Sequence, residues 1–137
     1  MRAITLICCL QVLSACAQGS LDIEVQLNHA PKGTLRMLLC PSDAAFTSEK
    51  GCTSKEVAAA STSVRVSLAQ LAPGKYAIKV FHDENDNRQL DVNWMGIPKE
   101  PYGFSNDTMG TFGPPSFQQA AFEVKPGANT ARIRMKG

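Results

Sequence analysis

Apolar and polar residues alternate along several separate stretches of the chain. In residues 21–27 (LDIEVQL), Leu21, Ile23, Val25 and Leu27 are apolar and the residues between them polar. That period of two predicts a strand with one buried face. Residues 34–40 (TLRMLLC) repeat the pattern through Leu35, Met37 and Leu39, and residues 63–68 (SVRVSL) through Val64, Val66 and Leu68. In residues 75–81 (KYAIKVF), Tyr76, Ile78 and Val80 share one face, with Ala77, Lys79 and Phe81 on the other. Residues 121–124 and 131–135 read as two further short strands around the turn Lys125-Pro126-Gly127. Asn28 to Gly33 and Gln70 to Gly74 carry the proline and glycine of turns. No stretch shows a long helical period. The pattern predicts an all-β protein: an antiparallel immunoglobulin-like or prealbumin-like β-sandwich of about seven strands.

Two segments fall outside the alternation. Residues 41–60 are small and polar, with Phe46 the only large apolar side chain before Val57. Ser42 or Asp43 is placed to cap a helical turn through Ala44, Ala45 and Phe46, and an edge strand is expected near residues 56–59. Residues 93–117 are dense in glycine and proline and carry Trp94, Tyr102, Phe104, Phe112 and Phe117. They either fold back to close one end of the sandwich or form a ligand or partner platform.

The first 17 residues change the reading of compartment. Arg2 precedes the apolar run of residues 3–13, which is too short to span a bilayer. Leu13-Ser14-Ala15-Cys16 fits a lipobox, with Cys16 the residue to be lipidated, so residues 1–17 are expected to be a signal peptide. Ala15-Cys16-Ala17 also fits ordinary signal peptidase, which would release a soluble chain from Gln18. Residues 18–137 then form the single mature domain. By resemblance to lipoprotein sorting in Gram-negative bacteria, Ala17 in place of an aspartate favours the outer membrane. The expectation is an exported periplasmic protein, anchored to the outer membrane through a lipid at Cys16 and otherwise out of the bilayer. In that oxidising compartment Cys40 and Cys52, the two cysteines of the mature domain, are expected to form a structural disulfide of roughly 3 kcal/mol. Two free buried thiols are the alternative.

Charge excludes one class of partner. Lys and Arg number 14 against 12 acidic residues, and without Arg2 the balance is 13 to 12, or +1. There is no basic block, and nucleic-acid binding is not expected.

Candidate chemistry concentrates in residues 83–91. Asp83, Asn85, Asn87 and Asp91 stand at positions 1, 3, 5 and 9 of a loop, the spacing with which calcium loops offer oxygen donors. Arg88 replaces the glycine of the sixth position and Trp94 the glutamate of the twelfth, so any Ca2+ binding would be weak. An Asx-turn loop with no ion is the alternative, because Asp and Asn bond their own backbone. His29 and His82 show no clustering that suggests zinc. Ser105, Asp107 and His82 make a triad only on paper, without a nucleophile elbow.

These motifs carry a resemblance. The runs FHDENDNRQLDVN, GIPKEPYGFSND and GPPSFQQAAFEV resemble the exported bacterial domain-of-unknown-function 2141 family over almost the whole mature chain. Positions 86 and 88 are commonly glycine in that pattern, and Cys40 and Cys52 lie outside it. The resemblance implies an exported β-sandwich and no known activity. The functional expectation is a monomeric, non-catalytic binding or structural module of the cell envelope, whose partner is an unidentified envelope protein or ligand. The alternative is a small-ligand carrier or enzyme that uses residues 96–117, with Trp94, Tyr102, Phe104 and Phe112, as a pocket.

Overall fold

The computed structural model describes residues 17–137. The expected signal peptide, with the lipobox-like run and Cys16, lies outside the described residues, apart from Ala17. The alternating stretches form β1 (Gly19–Gln26), β2 (Thr34–Cys40), β3 (Thr53–Ala58), β4 (Ser63–Leu71), β5 (Gly74–Asp83), β6 (Tyr102–Phe104), β7 (Phe122–Val124) and β8 (Gly127–Arg134). One sheet has the order β4-β1-β8. The other has the order β3-β2-β5-β6, with β7 also pairing with β5. This is the all-β sandwich that the alternation predicts.

Two details differ from expectation. Eight strands form among the described residues, because the three-residue β6 arises in a glycine- and proline-rich segment where no period is readable. One pair is parallel: β8 runs alongside β1, Gly19 opposite Gly127 and Gln26 opposite Arg134. The cause is where β7 ends. Val124 lies opposite Gly74, and the Gly127 amide donates to the Gln18 carbonyl, at the pole where β1 begins. The turn through Lys125 and Pro126 therefore launches β8 in the direction of β1.

Leu21, Ile23 and Val25 of β1, Val64, Val66 and Leu68 of β4, and Ile133 of β8 face Leu35, Met37 and Leu39 of β2 and Ile78 and Val80 of β5. Each such side chain contributes about 1.5–3 kcal/mol on burial. A second cluster lies on the outer face of the larger sheet. There Cys40 and Ala77, opposite one another, meet Phe46 of α1 (Asp43–Ser48), Phe104, and Phe117 and Ala120 of α2 (Phe117–Ala120). Phe46 packs against Phe104 and Phe117 at ring-centroid distances of 6.3 and 6.0 Å.

Ser42 caps α1, its hydroxyl accepting from the Ala45 amide at 3.1 Å. The Cys40–Cys52 disulfide closes the excursion that contains α1. Asp83 lies opposite Thr34, so the long loop of residues 84–101 leaves the sheet beside the β1–β2 turn, at the pole opposite Gly19.

Candidate functional site

β5 positions the apical loop. Its alternation ends with His82 and Asp83, both fully buried. Asp83 Oδ2 accepts from Arg36 Nε at 2.5 Å and from the Arg88 amide at 2.8 Å, and Oδ1 accepts from the Asn87 amide at 3.1 Å. Glu100, only 5 % exposed, works from the other side of the loop. Its Oε1 accepts from the Glu84 amide at 3.0 Å and its Oε2 from the Asp91 amide at 3.1 Å. Two buried carboxylates thus capture four loop amides, as buried polar groups require partners. Arg36 reaches outward as well, its Nη1 lying 2.6 Å from Glu56 Oε1 on β3. That ion pair is off the hydrogen-bond direction, and Arg36 Nη1 has no acceptor.

Burial pushes the Asp83 carboxyl up, but the Arg36 guanidinium and the two backbone amides outweigh it and hold the group below the usual carboxylate range. Glu100→Gln keeps the size of this latch and removes its charge and one acceptor. The expected cost is about 2 kcal/mol in urea denaturation, with faster exchange of the Glu84 and Asp91 amides.

The four residues expected at a calcium site are together, but they are turned on one another. Asn85 Nδ2 donates to Asp91 Oδ2 at 2.6 Å and Asn87 Nδ2 to Asp91 Oδ1 at 2.8 Å. Asn85 Oδ1 accepts from the Asn87 amide and Asn87 Oδ1 from the Gln89 amide. Calcium takes six to eight oxygens. Here a guanidinium occupies one side of Asp83, and backbone amides hold both Asn oxygens. As folded, this donor set does not fit calcium. Among the described residues, no three His, Cys, Asp or Glu side chains are arranged to enclose an ion. Asp86 and Arg88 adopt φ of 57° and 68°. Glycine suits both positions, since a side chain costs about 1–2 kcal/mol in left-handed geometry.

Beyond the latch the loop doubles back as a knuckle. Val92 bridges to Pro98, and the Asn93 amide donates to the Ile97 carbonyl. Asn93 Oδ1 accepts from the Met95 amide at 2.9 Å and the Ile97 amide at 3.0 Å. Gly96, at φ 78°, closes the turn. The result displays Val92, Trp94, Met95 and Ile97, with Trp94 91 % exposed.

The aromatic segment divides. Phe104 and Phe117 fold back into the second cluster, whereas Trp94 and Phe112 stand in solvent. Tyr102 and Phe104 also line a groove of about 440 Å³ on the outer face of the larger sheet, with Leu38, Phe81, Leu90 and Pro114. Trp94 and Phe112 are no part of it.

Ser105, Asp107 and His82 are not assembled. The Ser105 hydroxyl accepts from the Ile78 amide at 2.9 Å and donates to the Ala120 carbonyl at 2.5 Å. Asp107 accepts from the Arg134 amide, and His82 Nε2 meets the Lys32 carbonyl. Sequence reasoning missed the roles of Arg36, Glu56 and Glu100. Glu100 alone had a signal, as the acidic residue of the GIPKEPYGFSN run.

Fold and site together define a small β-sandwich with a carboxylate-latched apical loop that ends in an exposed aromatic knuckle. Residues 23–132 match the model of a family described as uncharacterized proteins conserved in bacteria (DUF2141), and the chain belongs to that family. No curated protein and no solved structure matches it.

Proposed function

We propose that the protein is an exported, non-catalytic binding module of the cell envelope that contacts a protein partner through the Trp94 knuckle. The observation that carries this reading is the exposure of Trp94 on a hydrogen-bonded turn. Trp94, Met95 and Ile97 are in solvent, yet the turn beneath them is held by Asn93 and, through the latch, by Asp83 and Glu100. A pre-ordered aromatic anchor loses little entropy on binding, and tryptophan is enriched among the residues that dominate interface energies. Asp83, Glu100 and Ser105 are buried and engaged with the backbone.

An outer-membrane lipid anchor at Cys16 suits this geometry. Cys16 precedes β1 by only two residues, so the domain would sit close to the bilayer. The knuckle lies at the far pole, roughly 26 Å along β1 at about 3.3 Å per residue. It would face away from the anchoring membrane, toward other envelope components.

The test is co-sedimentation of the purified protein with isolated envelope fractions and with solubilised envelope proteins. Trp94 is the sole tryptophan, so its emission reports contact directly. Binding with a blue-shifted emission, weakened about thirtyfold (~2 kcal/mol) in Trp94→Ala, is the expected result. Equal binding by wild type and Trp94→Ala overturns the reading. A second reading, small-ligand carriage, rests on the groove of Tyr102 and Phe104. It predicts that tyrosine quenching, rather than tryptophan emission, reports the bound molecule.

A further inference from the structure

Two guanidinium groups converge on one point at the outer face of the larger sheet. Arg36 Nη1 lies 2.6 Å and Arg88 Nη1 3.4 Å from the same oxygen, Oε1 of Glu56. One anchor sets both arginines, because the Asp83 oxygen that accepts from Arg36 Nε also accepts from the Arg88 amide. Glu56 is the looser member. Its side chain, on the edge strand β3, is 46 % exposed, whereas that of Arg36 is 12 % exposed. It also leaves Arg36 unsatisfied, since the buried Nη1 has no acceptor in the hydrogen-bond direction. Buried donors of this kind are ordinarily partnered.

The surface beside this point is apolar. Across the strands Arg36 stands between Glu56 and Phe81, and Tyr102 follows Phe81 on β6. In the neighbouring row Leu38 lies opposite Lys79. Leu38, Phe81 and Tyr102, with Leu90 of the apical loop, line the groove of about 440 Å³ described above. Lys79 is already engaged, its Nζ 3.1 Å from Glu49 Oε1 and 4.6 Å from the centre of the Phe46 ring. The arginine pair is therefore the place for an anion.

We propose that this groove binds a small aromatic carboxylate, its ring over Phe81 and Tyr102 and its carboxylate between Arg36 and Arg88, where Glu56 now stands. A planar guanidinium takes a carboxylate through two parallel N–H bonds, which a neutral ligand cannot accept in the same way. Aromatic rings favour the company of other rings beyond the area they bury. Glu56 turns out to solvent at the rim, so one carboxylate replaces another and burial of the ring is the surplus. The proposal rests on the groove reading and is independent of the Trp94 knuckle, which lies outside the groove.

The experiment is calorimetric titration of the purified protein with sodium 2-naphthoate and, in parallel, with neutral 2-naphthamide. NMR follows the methyl signals of Leu38 and Leu90. One naphthoate per chain is expected, with both leucines shifting and naphthamide at least about tenfold weaker. Arg88→Gln, at a side chain 73 % exposed, should weaken naphthoate about tenfold and leave naphthamide unchanged. Glu56→Gln, which removes the competing charge, should tighten naphthoate, and Trp94→Ala should bind it as the wild type does. Naphthamide binding as tightly as naphthoate, with the leucines shifted, retains ligand carriage and overturns the carboxylate. Leucine signals unmoved by either compound overturn both. Naphthoate affinity unchanged in Arg88→Gln also overturns the proposal.

Discussion

Asp83→Ala is expected to cost about 3–5 kcal/mol of folding stability, the range for removing one member of a buried ion pair. The Arg36 guanidinium loses its carboxylate, and the amides of Asn87 and Arg88 lose their acceptor, all at one site. Small domains have only about 5–15 kcal/mol in total, so the variant should unfold at far lower urea. Asp83→Asn combined with Arg36→Met removes the stranded charge and should recover part of the loss.

The pH dependence has a definite sign. Folding depresses the Asp83 carboxyl below its ordinary value, so its contribution is complete above the unfolded-state value of about 4. It is lost as pH falls through the depressed folded-state value. Wild-type stability should therefore decline in that acid range more steeply than that of Asp83→Asn. Parallel pH profiles would remove Asp83 as the latch.

Replacing both members of the disulfide, Cys40→Ala with Cys52→Ala, is expected to cost about 3 kcal/mol and lower the melting temperature by about 10 °C. The bond closes a separation of 12 residues that contains α1. Phe46, carried by α1, is the centre of the outer cluster with Phe104 and Phe117. Reduction of the wild type should reproduce the loss and expose that cluster, while the inner layer of β1, β2, β4 and β5 stays packed. An unchanged melt would show that Phe46 packing alone holds the excursion.

β1 and β4 were legible because one face of each is wet. Residues 34–40 alternate so cleanly that β2 has the expected bounds, the Ser42 cap follows from local chemistry, and the Cys40–Cys52 bond was expected from the pair of cysteines left in an exported domain. β6 was not legible, since three residues between turns carry no period. The direction of β8 was not legible either, because it depends on the pole at which β7 ends.

At the site, the spacing of Asp83, Asn85, Asn87 and Asp91 located the loop but could not show what its oxygens face. Arg36 is 47 residues from Asp83 in the chain, and only the pairing of β2 with β5 brings them together. His29 and His82 likewise meet at Glu84 only because the β1–β2 turn and the end of β5 share a pole. Charge and donor spacing are local in sequence, whereas the counter-ion that decides their use is not.

Asp83 and Glu100 accept from four amides of the apical loop, an arrangement that needs no calcium. Amide hydrogen exchange at Asn87 and Arg88, in EDTA and then in millimolar calcium, reads this latch. The latch predicts strong protection in EDTA that calcium leaves unchanged and that Asp83→Asn abolishes. Unprotected amides in EDTA that become protected when calcium is added would contradict it.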